Sequence, residues 1–277
     1  MLQRILLLLG ESSAAESARA TAFALARETG ATLAGITGID VTALDLPTLG
    51  RAGASALKAR VEADLHTQAE ALRKRLRAQY EQQCTAHDVT FECLSFEGDP
   101  IEALHLAVET RDLVVTGHDA GFHAGAEVPL PDLLSRLLAS MPRPILVCGD
   151  DRPEGTDVLV AYDSSLPAMR AVQMFALTGI GKGRRVKVVA VDPDQEGAAR
   201  RAAGAASYLA SHGYAAEAAP IASRLDIAEV LRLETERVKP GLLVMGSYGR
   251  RGWREMLFGS TTHRLVENPP CPLFIYH

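Results

Sequence analysis

Along the chain, short unbroken apolar runs alternate with longer stretches in which apolar residues recur at helical spacing. "ILLLL" (Ile5–Leu9), "VLVAY" (Val158–Tyr162) and "LLVM" (Leu242–Met245) are runs of the first kind. They lack the every-second-residue polarity of a half-exposed strand, which predicts strands covered on both faces. "RVEADLHTQAEALRKRLRAQY" (Arg60–Tyr80) is of the second kind, with apolar residues on one face and charge on the other. That pattern predicts an amphipathic surface helix. Covered strands alternating with such helices predict an α/β fold, a parallel sheet with crossover helices on both faces.

The pattern occurs twice. Leu6–Asp40 parallels Val158–Asp192, with Glu11-Ser12-Ser13 opposite Asp163-Ser164-Ser165. "GDPIEALHLAVETRDLVVTG" parallels "LDIAEVLRLETERVKPGLLVMG", and Leu134–Gly149 parallels Thr262–His277. Two copies of one domain explain this economically, residues 1–150 and 155–277, joined by the polar linker "GDDRPEG" (Gly149–Gly155). In the second copy, strands are predicted near Val158–Tyr162, Val186–Val191, Ala215–Ala222, Leu242–Met245 and Pro272–Tyr276.

Composition narrows the field. A length of 277 residues suits two domains of ordinary size. A net charge of −5 with no long run of one sign argues against bulk attraction to nucleic acid or to an anionic membrane. No apolar run reaches the length of a membrane helix. The first apolar run is followed at once by Glu11 and reads as a buried strand rather than a signal peptide. The four cysteines, Cys84, Cys93, Cys148 and Cys271, form no CxxC pair and read as reduced thiols of a cytoplasmic protein.

The chemistry concentrates in "VMGSYGRRGWREMLFGSTTHRL" (Val244–Leu265), between a buried strand and the next helix. Ligands of parallel α/β sheets sit at the carboxyl ends of strands. Glycine there lets a ligand approach the backbone amides, and a helix start offers free N–H groups and partial positive charge. Ser260 or Thr261 suits the cap of the following helix. Two glycine clusters beside one helix start make a cradle for phosphate oxygens. Arg250 is placed to add a charge-assisted bond, with Arg251 and Arg254 as weaker candidates.

Gly246-x2-Gly249-x9-Gly259-Ser260 resembles the G-2x-G-9x-G(S/T) motif of the ATP-binding branch of the universal stress protein family. "VLVAYDSS" and "CPLFIY" fit that family's first and last strands. The whole chain is similar to a tandem member. The resemblance implies two tandem Rossmann-like (adenine nucleotide alpha hydrolase-like) domains, each a five-stranded parallel sheet. It implies bound ATP, or ADP or AMP, with Mg²⁺ bridging the phosphates as an option. It places Asp163 beside the adenosine or the metal-phosphate region and Val191, through its backbone, against adenine. Gly246, Gly249, Arg250, Gly259, Ser260 and Thr261 then surround ribose and phosphates. It further implies pairing through last strands, here between the two copies, with a homodimer of tandem chains as an option. The implied role is regulatory, a stress-response protein acting through nucleotide-dependent shape or partners.

The first copy departs from the motif. Gly117 persists, Ala120 replaces the second glycine, and Pro131-Asp132 stand where Gly259-Ser260 stand. Proline removes an amide donor and aspartate repels phosphate. Glu11 takes the place of Asp163 on the alignment above. No ATP is expected in this half; a structural role or a different ligand is left to it. His118, Asp119 and His123 are metal-capable types without a zinc spacing, and read as a solvated loop.

"GIGKGRR" (Gly179–Arg185) precedes a strand, whereas phosphate-binding glycines follow one, so a helix-to-strand turn is expected. No G-x4-G-K-[ST], GxSxG or HExxH occurs. Two rival readings remain open. One is a slow ATPase or nucleotide-processing enzyme of the same fold. The other is a structural interaction module that binds no nucleotide.

Overall fold

The computed structural model describes residues 1–41, 54–122, 133–247 and 260–277. The first half carries β1 (Arg4–Leu8), α1 (Ser13–Thr29), β2 (Thr32–Asp40), α2 (Ala54–Ala86) and β3 (Phe91–Gly98). It continues with α3 (Pro100–Val108), β4 (Leu113–Gly117), α4 (Leu133–Ser140) and β5 (Ile145–Cys148). The second half repeats this as β6 (Val158–Ala161), α5 (Leu166–Thr178), β7 (Arg185–Asp192), α6 (Gln195–Ser211) and β8 (Ala215–Ala222). It ends with α7 (Ile227–Val238), β9 (Leu242–Gly246), α8 (Ser260–Glu267) and β10 (Leu273–Tyr276).

The ten strands form one sheet in the order β3-β2-β1-β4-β5-β10-β9-β6-β7-β8. Pairing is parallel within each half. The halves meet where β5 and β10 pair antiparallel, Leu146 opposite Phe274. The inner strands are buried along almost their whole length, as their unbroken apolar runs require. The two border strands are not. β3 and β8 are largely exposed or half-buried, and Pro220, which has no N–H to give, is tolerated in β8 because that strand is at an edge.

Local chemistry sets the helix ends. Ser12 caps α1 by accepting the Ala15 N–H at 3.0 Å, and Gly30 closes it at φ 74°. Asp99 and Asp226 cap α3 and α7. Each cap aspartate also meets an arginine of the last helix in its half: Arg136 with Asp99 at 3.4 Å, Arg264 with Asp226 at 2.9 Å. α2 extends six residues beyond the predicted Arg60–Tyr80 at each end. Its buried face runs Ala69, Leu76, Tyr80 and Cys84, and its outer face carries Arg73–Glu70 and Arg77–Glu81 pairs.

Both faces of the sheet carry a core that draws on both halves. One joins Leu2, Ile5 and Leu25 with Phe175, Val188 and Phe274. The other joins Leu6, Leu134 and Val147 with Leu231, Leu243 and Leu273. Among the described residues, no helix is long and apolar enough to cross a membrane.

Candidate functional site

Strand order reverses between β1 and β4 in one half and between β6 and β9 in the other. The carboxyl ends of such strands flank the crevice where open α/β sheets hold ligands. In the second half, Asp163 follows β6, and its Oδ1 accepts the Ser165 N–H at 2.9 Å. This turn fixes the carboxylate at the lip of the crevice. Ser164 between them sits at φ 63°, a left-handed conformation uncommon outside glycine. Ser165 then caps α5, accepting the Ala168 N–H at 3.3 Å.

Gly246 ends β9 against the first turn of α5. A Cβ there would stand 2.6 Å from the Ala168 nitrogen and the Pro167 carbonyl carbon. Gly117 ends β4 in the same way, its Cβ position 2.9 Å from the backbone of Ala14 and Ala15. Close helix–strand contact therefore accounts for both glycines, whatever enters the crevice.

Ser247 donates its N–H to the Tyr276 carbonyl at 2.9 Å, and its own carbonyl accepts the Thr262 hydroxyl at 2.9 Å. The second bond ties the end of β9 to the start of α8 and holds the two ends of the intervening loop together. Thr262 is a residue that sequence reasoning misses. The signal available in the sequence is a threonine where the other copy has Leu134; both are buried in the structure. The Ser247 hydroxyl is itself buried and has no hydrogen-bond partner among the described residues; a buried hydroxyl left without one costs about 1–3 kcal/mol.

Asp163, Val191, Gly246 and Thr261 occupy described positions. Ser260 is described as the first residue of α8. Gly249, Arg250 and Gly259 lie outside the described residues, as do Arg251 and Arg254. Val191 is half-buried near the end of β7, opposite Ile221 of β8, with Ala161 and Ala219 on the same apolar face. Because β6, β7 and β9 are parallel, Asp163, Val191 and Gly246 reach the same border of the sheet, and the Thr262 bond brings the start of α8 there too. Beside Val191, Asp192 pairs with Arg201 of α6.

The first half corrects one alignment. Ile5 opposes Leu113 as Val158 opposes Leu242, and the cap serines are Ser12 and Ser165. Gly10, not Glu11, thus stands where Asp163 stands. Glu11 instead corresponds to Ser164, and its carboxylate meets Arg75 of α2 at 2.5 Å. The first crevice retains a cavity of about 150 Å³, bordered by Gly10, Glu11, Ser12, Gly117, Asp119 and Phe122 among others. His118 lies 3.7 Å from Asp150, whose carboxyl the Ser13 hydroxyl and His118 hold below its usual range. Pro131, Asp132 and His123 lie outside the described residues. Among the described residues, no group of three or more His, Cys, Asp or Glu is placed to hold a metal.

The loop Gly179–Arg185 is a helix-to-strand turn, with Gly179, Gly181 and Gly183 at φ 75°, 73° and 81°. Its cations are engaged: Lys182 over the Tyr214 ring, Arg184 with Glu28 at 3.0 Å, Arg185 with Asp157 at 2.8 Å.

Two halves, each with its strands in the order third, second, first, fourth, fifth, define a duplicated doubly wound α/β protein. The sequence matches the Universal stress protein family over residues 1–149 and again over 156–277, and the chain belongs to that family. Its fold is similar to a universal stress protein from Archaeoglobus fulgidus DSM 4304, at 17% identity and TM-score 0.71, covering 99% of this chain and 97% of that one. It is also similar to a functionally unknown protein from Pseudomonas aeruginosa PAO1, at 14% identity and TM-score 0.62, covering 99% and 92%. A search among curated proteins finds no match.

Proposed function

We propose that the second half binds one adenine nucleotide per chain, ATP with ADP or AMP as alternatives, and that the protein regulates a stress response through nucleotide-dependent shape or partners. Residues 155–277 form the nucleotide unit, and residues 1–150 its degenerate companion. The observation that carries this reading is the placement of the glycine motif. It begins at the end of β9, at Gly246, and finishes at the first turn of α8, at Ser260, beside the strand that presents Asp163.

The surroundings fit such a ligand. The start of α8 offers amides and the positive end of its dipole to phosphate oxygens. The Ser247 hydroxyl, which has no partner among the described residues, lies at the same strand end. Val191 and Ile221 give a base an apolar floor. Gly249, Arg250, Gly259 and Thr261 complete the phosphate and ribose contacts. Mg²⁺ held mainly by the phosphates needs few protein ligands, and Asp163 follows β6, one of the two strands between which the order reverses.

Mass spectrometry of the small molecule released from the purified protein should show an adenine nucleotide, and calorimetry one site per chain. Gly259→Pro removes an amide donor, and Gly249→Val puts a branched side chain in the cradle. Each should abolish ATP binding and leave the circular dichroism unchanged. Unaltered affinity in both would sink the site assignment. Two nucleotides per chain would sink the asymmetry. Phosphate release under saturating ATP reads the enzymatic alternative directly.

A further inference from the structure

Gly38 interrupts β2 without a backbone reason, since its φ is not in the left-handed region. The reason lies across the ladder. Phe96 of β3 pairs opposite Gly38 and lays its ring over it, so a Cβ at position 38 would collide with the ring carbons Cδ1, Cε1 and Cζ. The Phe96 ring then meets Phe122 edge-on, with centroids 4.7 Å apart and planes at 84°. Phe122 is buried and borders the cavity of the first crevice.

The strand registers give the counterparts of these residues in the second half. Leu33 pairs with Ile5 as Val186 pairs with Val158, so Gly38 corresponds to Val191. Gly38 opposes Phe96 as Val191 opposes Ile221, so Phe96 corresponds to Ile221. All these side chains pack against the core on the same face of the sheet. The second half therefore has an aliphatic floor where the first has a bare glycine with an aromatic ring upon it. A ring lying on the sheet with a second ring against it is packing that a purine base also satisfies.

We propose that Phe96, braced by Phe122, fills in the first half the place a nucleobase takes in the second, closing that half to bases with a side chain of its own. This rests on the base site proposed at Val191. The closure is steric: the crevice persists and the ring occupies its base end. Glu11, paired with Arg75, and Asp119 border the open remainder, and the Asp119 charge opposes phosphate. The ligand class of the half, once opened, is thus an uncharged purine nucleoside rather than a nucleotide.

The test is calorimetric titration of the full chain with adenosine, comparing wild type with Phe96→Ala. The variant should bind one more adenosine per chain than wild type. An equal number in both would overturn the proposal. Should Phe96→Ala lose the native circular dichroism, Phe96→Val, a strand-favouring residue, decides by the same increment. ATP binding to wild type reads the second half separately. ATP bound without an adenosine increment removes the plug alone. An increment without ATP binding removes the second-half assignment alone.

Discussion

Cys84, Cys148 and Cys271 are buried and Cys93 is half-buried, all as free thiols. Burial pushes Cys93 up to about 11 and Cys148 and Cys271 up to about 12. The thiolate is the reactive form, so the native protein should resist iodoacetamide at pH 8 while the urea-unfolded chain is labelled at all four sites, as read by intact mass. The sign of the pH effect follows. The fold favours the neutral thiol, so that stability is present below about pH 9 and is lost as pH rises toward the folded values. The urea midpoint should therefore fall between pH 8 and pH 10.5. Other residues show what spacing alone conceals. Asp163 is legible as a carboxylate after a strand. Its partner in the first copy reads as Glu11 from the sequence, because a one-residue offset is invisible until strand pairing fixes the register at Gly10. Gly246 is legible as a special position, but its reason, contact with the Ala168 and Pro167 backbone, exists only in three dimensions.

Between elements, the contact of a strand end with a helix start is the recurring device. Gly246 against α5 and Gly117 against α1 are the same joint in two copies. Gly246→Ala and Gly117→Ala should each destabilise the protein by about 1–3 kcal/mol, the range for overpacking a close contact, as measured by urea unfolding. Only Gly246→Ala should also weaken ATP binding; a loss of binding in Gly117→Ala would show that the joint, rather than the second crevice, controls the ligand. The inner strands are legible because a short unbroken apolar run fits a covered strand and little else. The extra turns of α2 are not. "ASALKA" before Arg60 and "EQQCTA" after Tyr80 contain no glycine or proline and little amphipathic signal, so nothing in them marks an end. The aromatic filling of the first crevice is equally hidden, because Phe96, Phe122 and Gly38 are far apart in the chain.

At the scale of the molecule, the duplication is plain in the sequence, whereas the fusion of the two cores is not. The seam between the halves is more than the β5–β10 ladder. The Leu2 N–H donates to the Thr178 carbonyl, Arg184 pairs with Glu28, and each core cluster crosses the seam. Thermal unfolding should therefore be a single cooperative transition, with calorimetric and van't Hoff enthalpies in agreement. Two resolved transitions would mean that the halves melt independently.

The antiparallel seam also decides orientation. Strands that run toward one border in the first half run away from it in the second, so the two crevices open at opposite borders of a shared sheet. A flat partner can cap one mouth and never both together. A signal from an occupied second crevice to the far mouth has to cross this seam, which makes the three residue pairs of β5 and β10, and the core side chains packed across them, the natural place to look for a relay.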